Sequence, residues 1–236
     1  MSSGTDLQEN EDQDEFAEGA CDSPISHLRG MENLRVSKYY PRGSVLFMEG
    51  QQPRGIYVVC EGRVKVSIAS ADGRTLILRI ADAGDLLGIN STMTGQPYGA
   101  TVETLERCRI DFIPRDQLLR LLDRDKSGYL GLVQSLSRKV NGLIDHTRLL
   151  FVAQSASQKL ALLLLKWCDQ HGKRSSQGIR LRLGLTHEEI AQLICSSRET
   201  VTRAFSVLKR KHIVQAENGD LLIRNRKALI AFSKNS

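Results

Sequence analysis

Hydrophobic positions recur with two different periods along the chain, and the change falls near Pro114. From about residue 38 to residue 114 they come in short runs, at 45–47, 55–59, 63–68, 75–80, 100–104 and 109–113. The runs are broken at Gly50, Glu61-Gly62, Asp72-Gly73 and Asp82-Ala83-Gly84-Asp85. Glycine reaches positive φ without strain, which suits it to sharp turns. Short strands at this spacing predict an antiparallel sandwich or barrel. Beyond Pro114, taken as the first residue of a helix, the period becomes helical. A short helix is expected over 116–122 and a long one over 127–151. In the long one Val133, Leu136, Val140, Leu143, Thr147 and Leu150 alternate three and four apart, like a coiled-coil seam. Such a stripe predicts a dimerisation helix; packing on the chain's own barrel is the alternative.

The C-terminal third carries the sharpest local pattern. Ser157 is expected to cap a helix over 158–170 that ends at Gly172, a C′ glycine. A strand over 179–183 then leads into residues 185–211. Thr186 followed by Glu189 spells a capping box, and Ile190, Leu193 and Ile194 give the ensuing helix one buried face. Cys195-Ser196-Ser197 breaks that helix. Ser197 caps a second one, with Val201, Ala204, Phe205 and Leu208 inward and Arg198, Arg203, Lys209, Arg210 and Lys211 outward. Two helices about a tight turn predict a helix-turn-helix that reads DNA. Ser197, Arg198, Glu199, Thr202 and Arg203 would face base edges, and Lys209 a phosphate. An ordinary helical pair with a solvated basic face is the plain alternative. Strands at 213–215 and 221–223 around Asn218-Gly219-Asp220 predict the wing of a winged helix, followed by a last helix over 227–233.

Length and charge sharpen this division. The 236 residues suffice for two cores. Residues 1–22 hold eight acids and no base, which predicts a disordered tail. Residues 154–236 carry 15 bases against 6 acids, the footprint of a phosphate-binding surface. The expected fold is α+β, with a tail over 1–22 and a β-barrel or jelly-roll domain over 23–126. A dimerisation helix over 127–153 and a winged helix-turn-helix domain over 154–236 complete it. With no apolar span and an acidic N-terminus, a cytoplasmic protein is expected. Five cysteines, at 21, 60, 108, 168 and 195, form no C-x-x-C pair and are odd in number. They predict reduced, mostly buried thiols, with no zinc site, iron–sulfur cluster or disulfide framework. No nucleophile elbow, P-loop or metal-ligand cluster points to an enzyme.

The glycine-punctuated strands, the long seam helix and Ser197-Arg198-Glu199-Thr200-Val201-Thr202-Arg203 together resemble the CRP/FNR family of bacterial transcription regulators. Glu61-Gly62-Arg63-Val64-Lys65-Val66 and Gly84-Asp85-Leu86-Leu87-Gly88 also resemble its signatures, and the likeness runs from about Leu34 to the C-terminus. The resemblance implies a cyclic-nucleotide-binding-like domain and a homodimer on double-stranded DNA. It also implies contact with RNA polymerase through a surface loop at residues 171–177. Its catabolite-activator subgroup reads TGTGA-type half-sites. Arg198 and Arg203 would then contact guanines and Glu199 a cytosine. Thr202 stands where FNR-like members carry serine.

The effector positions depart from the family pattern. Cyclic-nucleotide binders carry a glutamate for the ribose and an Arg-Ser pair for the phosphate; here stand Ile89 and Tyr98-Gly99-Ala100, with Ile144 and Asp145 aligned near the base. The expected signal is therefore something other than cAMP, or none, and no cofactor is expected. Met48, His146, Cys60 and Cys108 exist as haem-ligand types without a motif. A cyclic-nucleotide-responsive regulator and a DNA-free interaction module remain the alternatives. Cys195, just before the recognition helix, is the candidate redox-sensitive thiol, against a packing role between the two helices.

Overall fold

The computed structural model describes Cys21, Ser23 and residues 34–217 and 220–235. The predicted tail, apart from Cys21, and Asn218-Gly219 of the predicted wing turn lie outside the described residues. The N-terminal region runs β1 (Val36–Tyr40), β2 (Val45–Phe47), β3 (Gly55–Glu61), β4 (Val64–Ala69), β5 (Thr75–Ala81), β6 (Leu86–Leu87), α1 (Ile89–Thr94), β7 (Thr101–Thr104) and β8 (Cys108–Pro114). The strands form two antiparallel sheets, β1-β8-β3-β6 and β2-β7-β4-β5, so the region is jelly-roll-like and not a closed barrel.

β3 sits between two apolar layers, which is why it has no polar alternation. Ile56 and Val58 pack with Ile113, Leu118 and Leu122, while Val59 packs with Phe47, Val64 and Ile110. Three elements of this region escaped the sequence pattern: β1, the two-residue β6 and α1. β1 is a half-buried strand with Ser37 and Lys38 inside it, made a strand by pairing Val36–Tyr40 with Phe112–Cys108 of β8. α1 is too short for periodicity and is bounded by the left-handed Gly88 (φ 72°) and Gly95 (φ 73°).

Two helices lead out of the jelly roll: α2 (Arg115–Arg124) and α3 (Ser127–Val152). Pro114 is the N-cap of α2, one residue outside it, because it still pairs with Gly55 as the last residue of β8. α3 buries Leu132, Ser135, His146 and Leu149 along one face. The predicted seam lies on another. Val133 (56% exposed), Val140 (54%) and Leu143 (39%) are uncovered within the chain, together with Tyr129, Leu130, Ile144, Phe151 and Val152. Leu136 and Leu150 are half-buried.

The C-terminal region comprises α4 (Ala156–His171), β9 (Lys173–Ser175), β10 (Gly178–Leu181), α5 (His187–Leu193), α6 (Arg198–Arg210), β11 (Val214–Glu217), β12 (Asp220–Ile223) and α7 (Arg226–Asn235). Its sheet has the order β11-β12-β10-β9. The cap of α4 is Ser155, not Ser157: Ser155 accepts from the Gln158 amide, and Gln158 Oε1 accepts from the Ser155 amide at 3.1 Å. Gly172 is the C-cap with φ −69° rather than a left-handed C′ residue. Glycine is required there by space, since a Cβ would lie 2.4 Å from the Cys168 carbonyl oxygen and 2.5 Å from Ile179 Cγ2. Residues 171–177, expected as a loop, span the last residue of α4, the exposed strand β9 and the turn that leads into β10.

The core of this region holds Leu160, Leu164, Ile190, Val201, Phe205, Leu208 and Ile223, and Ile77 of β5 is buried in the same cluster. Each such side chain contributes about 1.5–3 kcal/mol by leaving water. The two regions therefore share apolar core. Among the described residues no helix is long and apolar enough to cross a membrane.

The expectation of five reduced thiols is corrected. Cys21 and Cys60 are joined as a disulfide across 39 residues, leaving Cys108, Cys168 and Cys195 free. Neither spacing nor parity marks such a pair, because the bridge depends on the fold bringing Cys21 beside Cys60 of β3.

Candidate nucleic-acid interface and effector pocket

The helix-turn-helix is built by two interlocked caps. Thr186 accepts from the Glu189 amide at 3.1 Å, and Glu189 Oε2 accepts from the Thr186 amide at 2.8 Å. These bonds satisfy donors that a helix start leaves open. α5 ends at Leu193, with the Ser196 amide donating back to the Ala191 carbonyl at 2.9 Å. Ser197 then caps α6 by accepting from the Thr200 amide at 3.2 Å.

α6 buries Val201, Ala204, Phe205 and Leu208. Ser197, Arg198, Glu199, Thr202, Arg203 and Lys209 are all exposed. Arg198, Glu199, Thr202, Arg203 and Lys209 lie toward one side of the helix, linked by steps of three (199 to 202), four (198 to 202 and 199 to 203) and seven (202 to 209), with Ser197 as the N-cap beside them. The Glu199 carboxyl is held below the usual carboxylate range, first by its own first-turn amide and then by the Ser197 hydroxyl. At neutral pH it is thus an acceptor-only group, as a cytosine amine requires.

His187, at the start of α5, is a residue the sequence reasoning passed over. Its ring stacks on Phe205 with centroids 5.0 Å apart, and Nδ1 lies 2.8 Å from Thr202 Oγ1. The Thr202 hydroxyl also donates to the Arg198 carbonyl at 2.9 Å, so this candidate base reader is already bonded within the protein. Burial, then the Lys209 and Arg198 cations, push the His187 pKa down, which keeps the imidazole neutral. A histidine at N1, two residues before a capping glutamate, gives no signal in sequence.

Cys195 occupies the turn with φ 51°, a left-handed conformation costing a non-glycine residue about 1–2 kcal/mol. Its side chain is exposed, so the packing role between the two helices does not hold.

The candidate effector residues fall in two places. Ile89 is buried in the jelly roll with Ile56 and Leu86. Tyr98 is 3% exposed, stacks on Phe47 with ring centroids 3.9 Å apart, and donates its hydroxyl to the Gly55 carbonyl at 2.7 Å. Gly99 is exposed and Ala100 half-buried. Ile144 and Asp145 stand on the exposed side of α3, where Asp145 lies 3.9 Å from Arg148. Tyr98 thus supplies a stacked ring and a saturated hydroxyl, and no cation. Among the described residues Cys21, Cys60 and Asp111 bring ligand-type atoms within 4.8 Å of one another. The two sulfurs are bonded together and Asp111 is engaged by Arg35 and Ser37, so the group is a structural tie and not a metal centre.

The two regions are also joined by polar contacts. Lys65 Nζ lies 3.6 Å from Glu189 Oε1, and an Arg63 guanidinium nitrogen donates to the Leu183 carbonyl at 2.8 Å.

Comparison with known proteins agrees with this architecture. The family described as Cyclic nucleotide-binding domain matches residues 37–125, and the Crp-like helix-turn-helix domain matches residues 158–232. The chain is 29% identical over 194 residues to the CRP-like cAMP-activated global transcriptional regulator of Mycobacterium tuberculosis, covering 80% of this chain and 84% of that protein. The solved structure of FixK2 from Bradyrhizobium japonicum matches with a TM-score of 0.73 at 21% identity, over 84% of this chain and 96% of that one. A CooA variant from Carboxydothermus hydrogenoformans matches with a TM-score of 0.73 at 25% identity, over 86% of this chain and 90% of that one. A cyclic-nucleotide-binding-type domain followed by a Crp-like helix-turn-helix identifies the chain as a transcription regulator belonging to the CRP/FNR family.

Proposed function

We propose that this regulator binds, as a homodimer, palindromic sites with TGTGA-like half-sites, and that its signal is not cAMP. The observation that carries the reading is the exposed row on α6, where Arg198, Glu199 and Arg203 project beside the basic Lys209. Arginine pairs bidentately with guanine and glutamate accepts from the cytosine amine, each pair discriminating by about 1–3 kcal/mol. We divide the chain into a tail over 1–22, a sensor domain over 23–126, a dimer helix over 127–153 and a DNA-binding domain over 154–236. The apolar stripe on α3 supports the dimer, and the hairpin at 171–177 is the candidate contact for RNA polymerase in the cytoplasm.

A selection from randomised duplexes tests the site. TGTGA-like half-sites should emerge for the wild type, with preference relaxed at one guanine for Arg203→Ala. Lys209→Ala should weaken all sequences alike and reduce the salt slope by about 1. Recovery of unrelated sites would overturn the reading.

A cAMP-responsive regulator is the second reading, favoured by the activity of the Mycobacterium tuberculosis relative. Against it stand Ile89, Tyr98 and Gly99, which offer neither the carboxylate nor the guanidinium such a ligand needs. Calorimetry should give no tight cAMP binding. We propose Cys195 as the redox-sensitive thiol; peroxide should lower DNA affinity in the wild type and not in Cys195→Ser.

A further inference from the structure

A cavity of about 680 Å³ opens between the sensor and DNA-binding regions, away from Tyr98 and from the α6 reading face. That volume is typical of a small-molecule site. Its walls come from β5 and the turn after it, from α3, from α4 and from the segment between β10 and α5. They carry six basic side chains, Arg63, Arg79, Arg138, Lys139, Lys166 and Arg182, against two carboxylates, Asp82 and Asp85.

The partners of these groups decide what the cavity needs. Arg79 is paired with Asp85 at 2.9 Å, while Arg63 and Arg182 share Glu106 at 3.1 and 3.6 Å. Asp82 faces His171 at 3.8 Å. Among the described residues neither Arg138 nor Lys166 has an ion pair. The Lys139 ammonium is buried and donates to the Leu86 carbonyl, with a second cation, Arg79, beside it. His146, also on the wall, keeps Nε2 buried without a hydrogen-bond partner. Cations without a carboxylate partner, gathered in one cleft, concentrate anions, and phosphate oxygens make strong charge-assisted bonds to them. A singly charged anion would leave most of this charge unbalanced. Trp167 adds a flat aromatic surface to the same wall, on which a ring can stack.

We propose that this interdomain cavity binds a multiply charged phosphate ester of nucleotide size, its phosphates on Arg138, Lys139 and Lys166 and its ring beside Trp167. The inference stands apart from the DNA-binding reading, because binding is measured on the full chain without DNA.

Trp167 is the only tryptophan of the chain, so its emission reports from the cavity itself. ATP, inorganic pyrophosphate, citrate and adenosine are titrated at constant ionic strength, by fluorescence and by calorimetry. ATP should bind saturably at one per subunit, pyrophosphate about tenfold more weakly, and citrate and adenosine not measurably. Arg138→Gln and Lys166→Gln should each weaken ATP about fivefold or more while circular dichroism and Tm stay unchanged. Calorimetry on Trp167→Phe should give weaker ATP binding with pyrophosphate unaffected. The proposal is overturned if ATP gives no saturable signal up to about millimolar concentration, or if the Arg138→Gln/Lys166→Gln double variant binds as the wild type does. Citrate binding as tightly as pyrophosphate would remove the phosphate assignment, and pyrophosphate equalling ATP would remove the ring.

Discussion

Glu189 answers to both halves of the protein: one carboxylate oxygen caps α5 through the Thr186 amide, and the other lies 3.6 Å from the Lys65 ammonium on β4. Both side chains are largely buried, so water screens the pair only in part. Glu189→Gln keeps an acceptor for the cap and gives up the charge, and should cost about 1 kcal/mol. Glu189→Ala loses the cap as well and should cost about 2 kcal/mol. Urea melts of these variants, with Lys65→Met added to close a double-mutant cycle, check the assignment. Zero coupling between Lys65 and Glu189 would mean that the contact does not join the domains.

Lys139 gives a pH dependence of known sign. Burial first, and then the Arg79 cation, bring its pKa down to about 7, whereas an unfolded lysine titrates near 10.5. The unfolded chain therefore holds more protons than the native one between these values, and stability from this group rises with pH across that window. At pH 7 and below, folding carries the full cost of a charged buried amine. Lys139→Met should raise Tm most at pH 6–7, with the gain shrinking toward pH 10. A gain independent of pH would show that the amine is not the cause.

The uncovered stripe on α3 leads to a prediction about assembly. Val140 and Leu143 are exposed within the chain, so Val140→Glu with Leu143→Glu should leave the fold intact. In a dimer the same change buries unpaired charge at the seam. Sedimentation should give monomers of unchanged circular dichroism; a persisting wild-type dimer would put the seam elsewhere.

The Cys21–Cys60 bridge closes a 39-residue separation. By loop-closure entropy Cys60→Ser, or reduction, should cost about 2–4 kcal/mol in denaturant melts. A reducing compartment opposes such a bond. Mass spectrometry of protein alkylated at the moment of lysis would show whether the pair is joined in cells.

The elements legible in the sequence are those specified locally. Thr186, Glu189 and Ser197 announce their helices because a cap acts over three residues. The strands of the jelly roll are bounded by glycine turns that need no partner to be recognised. What escaped is what depends on distant pairing. β1 is a strand because β8 lies beside it, more than 60 residues along the chain. Ser155 displaced Ser157 as cap because Gln158 could answer it at the right spacing. In the helix-turn-helix, the exposed positions followed from helical period alone. The stack of His187 on Phe205, the partner of Cys60 and the cationic cavity required the chain to be folded first.

The filled interior around Tyr98 bears finally on how long the molecule lasts. A sensor that folds around its ligand draws stability from it by mass action, so its unliganded fraction opens more often and is cleared faster. Here Tyr98, stacked on Phe47 and bonded to the Gly55 carbonyl, takes up interior space from within the chain. On the proposed reading, in which this pocket takes no cyclic nucleotide, the steady-state amount of the regulator should not follow the supply of that ligand.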